Sequence, residues 1–303
     1  MAHITAGDIS PITYRTESTY GTPDTSVRKY YGDVAEGGKF TVQNSNNPYL
    51  SWRYGSRSYD PGNYVTQQQD AAYSDVLEVR DLNGWTAILK YALGTDTGTE
   101  DYGELPSRTS DIFVRTGAGT YQGIIYRGCK TDSLTIKADA PGGIVKFEES
   151  VLASENLTSD ISTPLSQWSV AGPAIQWRAA VTIGANTIYP QSFSITINNN
   201  LSRSYAPRQT SGPEATTGAL LEGRREITAE FDIWMEDLSN IRASLMNNQP
   251  GNIVMVLGTQ YRVQLTLSGV RWVADGSSYP DFIQDKQREV LKFRASAIGV
   301  QAV

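Results

Sequence analysis

Apolar and polar positions alternate with a period of two along much of the chain, as half-buried strands require. Residues 39–44 (K-F-T-V-Q-N), 74–80, 111–115, 121–129, 133–138 and 144–152 fit that pattern, with Pro141, Gly142 and Gly143 turning the chain between the last two. The period changes once in this half. Leu82, Trp85, Ile88 or Leu89, and Ala92 or Leu93 recur at helical spacing, with Asp81 as N-cap and Gly94 as stop, so the pattern predicts an amphipathic helix over 81–93. Residues 1–30 show neither period and read as an extended arm, and the polar stretch from Asn46 to Gln69 reads as a long loop.

Residues 156–175 are rich in Ser, Thr, Pro and Gly and mark a linker, after which the order of elements begins again. Strands are expected at 176–183, 191–198 and 226–235, a polar loop at 202–220, a helix at 237–248 and three closing strands. Asp81, Leu82, Ala87 and Leu89 answer to Asp237, Leu238, Ala243 and Leu245, and V-K-F-E-E-S-V-L at Val145 matches L-K-F-R-A-S-A-I at Leu291 in Lys, Phe and Ser. The expectation is a mainly β protein with two tandem β-barrel or sandwich domains, each with one flanking helix. Its parts are an arm (1–30), a first domain (31–155), a linker (156–175) and a second domain (176–303).

Composition narrows the chemistry. His3 and Cys129 are the sole histidine and cysteine, which argues against a histidine triad, a His/Cys zinc site and an intrachain disulfide. No signal peptide and no apolar run long enough to span a bilayer are visible, so a chain made in a reducing cytosol, with no membrane partner, is expected, and the sequons at Asn156 and Asn200 carry no meaning. The net charge of −6 is spread along the chain, which argues against a surface that grips nucleic acid.

Glu148 and Glu149 are adjacent in a strand and point to opposite faces, so they cannot flank one glycosidic bond; Glu236 and Asp237 sit where a helix N-terminus attracts acids. The glycines at 117, 119, 123, 142 and 143 lack the strand-to-helix context of a phosphate loop. Cys129 reads as a small buried hydrophobe. No catalytic, cofactor or metal site emerges, and an enzyme is not expected. Two features remain. Aromatic and arginine-rich segments at equivalent places in both halves have interface composition, making Tyr20, Trp52, Arg53, Tyr54, Arg57, Tyr59, Arg203, Tyr205 and Arg208 candidates for contacts between subunits. The strand 226–232 also puts Glu226, Thr228, Glu230 and Asp232 on one polar face.

In order along the chain, E-S-T-Y-G-T (17–22), L-K-Y-A-L-G-T (89–95), Y-Q-G-I-I-Y-R-G-C-K-T-D-S-L-T-I (121–136), Q-S-F-S-I-T-I-N-N-N-L (191–201) and L-E-G-R-R-E-I-T-A-E-F (221–231) resemble the tail tube proteins of long-tailed bacteriophages and related viruses. The resemblance implies rings that stack into a hollow tube, six domains per ring, each giving four strands to an inner barrel. Two domains per chain then imply a trimeric, pseudo-hexameric ring, with a hexamer as the alternative. Twenty-four strands tilted by about 40° give a backbone diameter of roughly 48 Å and a lumen of roughly 38 Å, enough for a DNA duplex. On this reading Glu226, Thr228, Glu230, Asp232, Ser194, Thr196 and Asn198 line the lumen, where acids and neutral polar groups keep double-stranded DNA sliding without specific binding. The partners are further copies of the chain and other tail proteins at the tube ends, and the place is the virion tail after synthesis in the host cytoplasm. The alternative is a carbohydrate-binding or adhesive β-sandwich, in which exposed Trp and Tyr serve as sugar platforms.

Overall fold

The alternating segments become strands in the computed structural model, which describes residues 12–24, 28–35, 41–42, 45–52, 59–79, 82–94, 104–117, 120–161, 175–207, 215–234, 251–258, 263–273 and 288–302. In the first half β1 (Ile12–Thr16), β2 (Lys29–Val34), β6 (Arg108–Gly117), β7 (Thr120–Ala138) and β9 (Glu155–Ile161) pair in the order β2-β1-β6-β7-β9. A second sheet runs from β3 (Thr41–Val42) through β5 (Tyr59–Glu78) and β8 (Lys146–Ala153) to the far end of β7. Strand β7 therefore serves both sheets. It crosses between them at Gly128, whose φ of 61° lies in the left-handed region that favours glycine. Ser154 sits in this corner and donates from both its backbone N and its Oγ to the Arg127 carbonyl at 2.9 Å.

The second half repeats this order of pairing. One sheet runs β11 (Asn186–Ile188), β10 (Trp177–Ile183), β16 (Gly251–Leu257), β17 (Val263–Trp272) and β19 (Ala297–Ala302). The other runs β12 (Ser192–Asn198), β15 (Glu226–Trp234), β18 (Arg288–Ala295) and the end of β17. Strand β17 changes sheet at Gly269, with φ 60°, and Ser296 donates from its backbone N and Oγ to the Ser268 carbonyl at 3.0 and 3.1 Å. The halves are stitched together where β7 pairs with β12, from Ser133↔Asn198 to Ala138↔Phe193. One antiparallel sheet thus has the continuous order β3-β5-β8-β7-β12-β15-β18-β17.

One face of that sheet is buried and alternates strictly with an accessible one: Leu134, Ile136, Phe147, Ile195, Ile197, Ala229, Phe231, Leu291 and Phe293 point into the core. The helix α1 (Leu82–Leu93) packs on it through Trp85, whose ring meets Phe147 edge-on at 4.5 Å and whose Nε1 donates to the Val79 carbonyl. Gly94, at φ 90°, ends the helix by donating to the Lys90 carbonyl at 2.8 Å. Burying side chains of this size contributes about 1.5–3 kcal/mol each.

Several boundaries differ from the sequence reading. Residues 12–16 and 29–34, assigned to the arm and its junction, are strands of the first sheet, with Ile12 and Thr13 fully buried. The expected loop 46–69 is instead a long antiparallel hairpin of β4 (Ser45–Trp52) and β5, and 202–220 likewise forms a hairpin of β13 (Ser202–Pro207) and β14 (Ala215–Leu221). Backbone pairing holds a strand whatever the pattern of its side chains, so the missing alternation hid these strands. Residues 155–161, at the start of the expected linker, pair with β7 as β9. The segments 121–129 and 133–138 are one strand bent at the sheet crossing. Asp81 and the expected helix 237–248 lie outside the described residues.

Candidate functional site

Among the described residues, the eight-strand sheet presents an extended polar face opposite its buried one. Strand pairing lays its residues in rows. One runs Val76, Glu148, Thr135, Thr196, Thr228, Arg294, Arg271, and the next runs Lys146, Lys137, Ser194, Glu230, Lys292. All seven lumen candidates stand together here, because Ser194, Thr196 and Asn198 are directly opposite Glu230, Thr228 and Glu226, and Asp232 is opposite Ser192. The Thr135 and Thr196 hydroxyls are hydrogen-bonded at 3.0 Å across the joint between the halves.

The charge on this face differs from the acidic wall expected from β15 alone. Lys137, Lys146, Lys292, Arg294 and Arg271 share it with the four carboxylates Glu148, Glu226, Glu230 and Asp232. Lys137 lies 2.7 Å from Glu148, which raises the lysine pKa mainly through that hydrogen bond, and Lys292 lies 3.6 Å from Glu230. Glu230 thus has a cation beside it. The missed basic residues come from β7, β8, β17 and β18, strands whose adjacency to β15 is a tertiary fact.

The subunit-contact candidates fall into four groups. Trp52 and Tyr59 pair opposite each other in the β4–β5 hairpin, whereas Arg53, Tyr54, Arg57 and Arg208 lie outside the described residues. Arg203 donates to the Ala153 and Ala71 carbonyls at 2.8 and 2.6 Å, and the Tyr205 hydroxyl donates to Asp70 at 2.8 Å. These bonds fasten the second hairpin onto the first half of the same chain, where β14 also meets β5 at Thr216↔Gln69. Tyr20 is half-buried with Lys130 5.9 Å from its ring centroid, and burial, above all, raises its hydroxyl pKa.

Sequence reading missed a polar lock at the joint of the halves. Buried Asn199 donates from its backbone N to the Asp132 carbonyl at 2.8 Å and from Nδ2 to the carbonyls of Thr131 and Ala92 at 2.9 and 3.0 Å. Its Oδ1 accepts from Arg225 Nε at 2.9 Å, and Arg225 also reaches the Leu93 carbonyl at the end of α1. Asp132 Oδ1 accepts from the Leu201 backbone. The asparagine run 198–200 at a strand end was the available signal.

Glu148 and Glu149 do point apart, the former to the accessible face and the latter, buried, to Arg108 at 2.7 Å. Cys129 is buried, its thiol pKa is pushed up to about 12 chiefly by burial, and it donates to the Tyr126 carbonyl. A thiol so disfavoured as thiolate is a poor nucleophile. Among the described residues, no group of His, Cys, Asp and Glu has the makings of a metal site.

What the geometry offers is a polar sheet face, two hairpins and a hydrogen-bonded joint between the halves. No curated protein matches the chain. The profile of one family, described as "Phage tail tube protein", matches residues 7–283, and with this match over most of its length the chain belongs to that family and is a structural component of the phage tail tube.

Proposed function

We propose that the chain is an internally duplicated tube subunit, three copies of which close one pseudo-hexameric ring of the tail tube. The first domain extends the expected 31–155 back to β1 and forward through β9, and the second spans β10 to β19 within 176–303. One observation carries this reading: the strand order β3-β5-β8-β7 is followed in the same sheet by β12-β15-β18-β17, with glycines at φ 61° and 60° and serines 154 and 296 at the two matching corners. Closed rotational symmetry would remove the exposed edges of that sheet. Three chains of eight strands give the twenty-four-strand barrel whose lumen admits a DNA duplex. Averaged electron micrographs of tubes assembled from the purified protein test it: three chains per ring support the proposal, and six chains per ring overturn it.

The accessible sheet face is the proposed lumen, and the virion tail, reached after synthesis in the host cytoplasm, is the proposed place of action. Four carboxylates interleaved with three lysines and two arginines nearly balance the charge of this wall, so DNA phosphates meet only a weak positive field. Replacing Glu226, Glu230 and Asp232 together by Lys should leave tube assembly intact and slow genome ejection, with an effect that shrinks as salt screens the attraction. Ejection at the normal rate would remove this face from the lumen.

A further inference from the structure

The joint inside one chain specifies the joint between chains. Resting on the ring reading above, we infer that Asn46 of one copy locks onto the Trp272–Val273 carbonyls of the next copy, as Asn199 locks onto Thr131 and Asp132 within the chain. The equivalence comes from strand registers alone. Ala71 pairs with Ala153 and Ile227 with Ala295, next to the serines of the two corners, so Ala71 and Ile227 hold the same place. Then Asp70 corresponds to Glu226, and their partners Ser45 and Asn198 correspond in turn. The next residue is asparagine in both halves: Asn46 occupies the place of Asn199. Counting from the other corner, Gly128 matches Gly269, so Thr131 matches Trp272, and indeed Thr131 pairs with Val151 as Trp272 pairs with Phe293.

These two equivalents cannot meet within a chain. They lie at opposite ends of the eight-strand sheet, where, among the described residues, β3 pairs only with β5 in this sheet and β17 at Arg271–Trp272 only with β18. A second copy brings them together, and it presents the same edge that β12 presents to β7. Gln69, paired with Asn46, stands in the place of Arg225. The occupant of both edges is thus another copy of the chain, joined without a new kind of contact.

Two measurements test the seam. An Asn46→Cys/Val273→Cys variant, assembled at high protein concentration and then oxidised, should give covalent dimers and larger species on denaturing gels, absent from either single variant. An Asn198→Cys/Ser133→Cys variant should form its link within one chain, since those residues pair directly. Should the paired-cysteine chain not assemble, Asn46→Ala decides: losing about one hydrogen bond per joint should raise the concentration needed for assembly about tenfold while leaving the monomer's melting temperature unchanged. Asn199→Ala should instead lower that melting temperature. Tubes of the paired variant without intermolecular links, or Asn46→Ala assembling like the wild type, would overturn the seam while leaving tube formation standing. Failure of the wild type itself to form rings would instead count against the ring reading.

Discussion

The two halves share a strand order but fill the same core corner with opposite chemistry. In the first half Arg108 donates to Glu149 Oε1 at 2.7 Å, to Thr131 at 3.0 Å and to Ser110 at 3.3 Å; Tyr73 donates to Ser110 at 2.8 Å, and Asp75 is buried beside them. Register places Gly251, Leu291, Trp272, Ile253, Ala229 and Phe231 at the positions of Arg108, Glu149, Thr131, Ser110, Tyr73 and Asp75. There the packing is apolar, with Phe231 and Phe293 edge-on at 6.0 Å. The fold therefore does not require the ionic corner. Desolvating several charges is so costly that a well-packed apolar set is often as stable, whereas half of an ion pair is worse than either.

The comparison breaks most sharply when the two chemistries are mixed. Glu149→Leu alone strands the Arg108 guanidinium in the core and should cost about 3–5 kcal/mol, read from urea unfolding. Carrying over the whole set, Tyr73→Ala, Asp75→Phe, Arg108→Gly, Ser110→Ile, Thr131→Trp and Glu149→Leu, should recover most of that loss. A combined variant no better than Glu149→Leu would mean that the two corners are not interchangeable.

The sheet-crossing glycines give a smaller and more even effect. Both Gly128 and Gly269 have positive φ, and an added Cβ would collide with Ser154 Oγ and Ser296 Oγ respectively. At Gly128 it would also come within 2.9 Å of the Tyr20 ring. Gly→Ala should destabilise at either site by about 1–3 kcal/mol, more at 128, in the same unfolding measurement. Equal losses would show that the Tyr20 ring yields freely.

Period-two alternation in the core strands, the helix 82–93 and its glycine stop were legible in the sequence, because burial of one face writes itself into alternate positions. The hairpins β4–β5 and β13–β14 were not, since polar ribbons lack that signature. The match of Asp81 with Asp237, which lie outside the described residues, has the same sequence offset as the register match of Ala71 with Ile227. The match of Val145 with Leu291 does not: pairing sets Ala153 and Ser154 against Ala295 and Ser296, four residues away from that alignment. A slip of four preserves which face each residue occupies, so alternation alone could not detect it. The candidate lumen residues on β12 and β15 were recognisable as one polar face, but their basic neighbours required knowledge of which strands lie alongside.

The subtlest difference between the halves is its pH dependence. Burial, reinforced by the neighbouring Glu149 charge, raises the Asp75 pKa well above the ordinary carboxylate range, so the native chain keeps this acid neutral. In the unfolded chain it ionises above about pH 4. Its folded pKa is the higher one, so the native state binds the extra proton, and stability declines as pH rises from about 4 towards the folded value. Phe231 at the matching position has no proton to lose. Asp75→Asn removes the titration while keeping the shape, so the variant's melting temperature should gain on the wild type steadily between pH 5 and pH 8. A gap that stays constant across that range would mean that Asp75 is ionised in the native core, paired with Arg108 alongside Glu149.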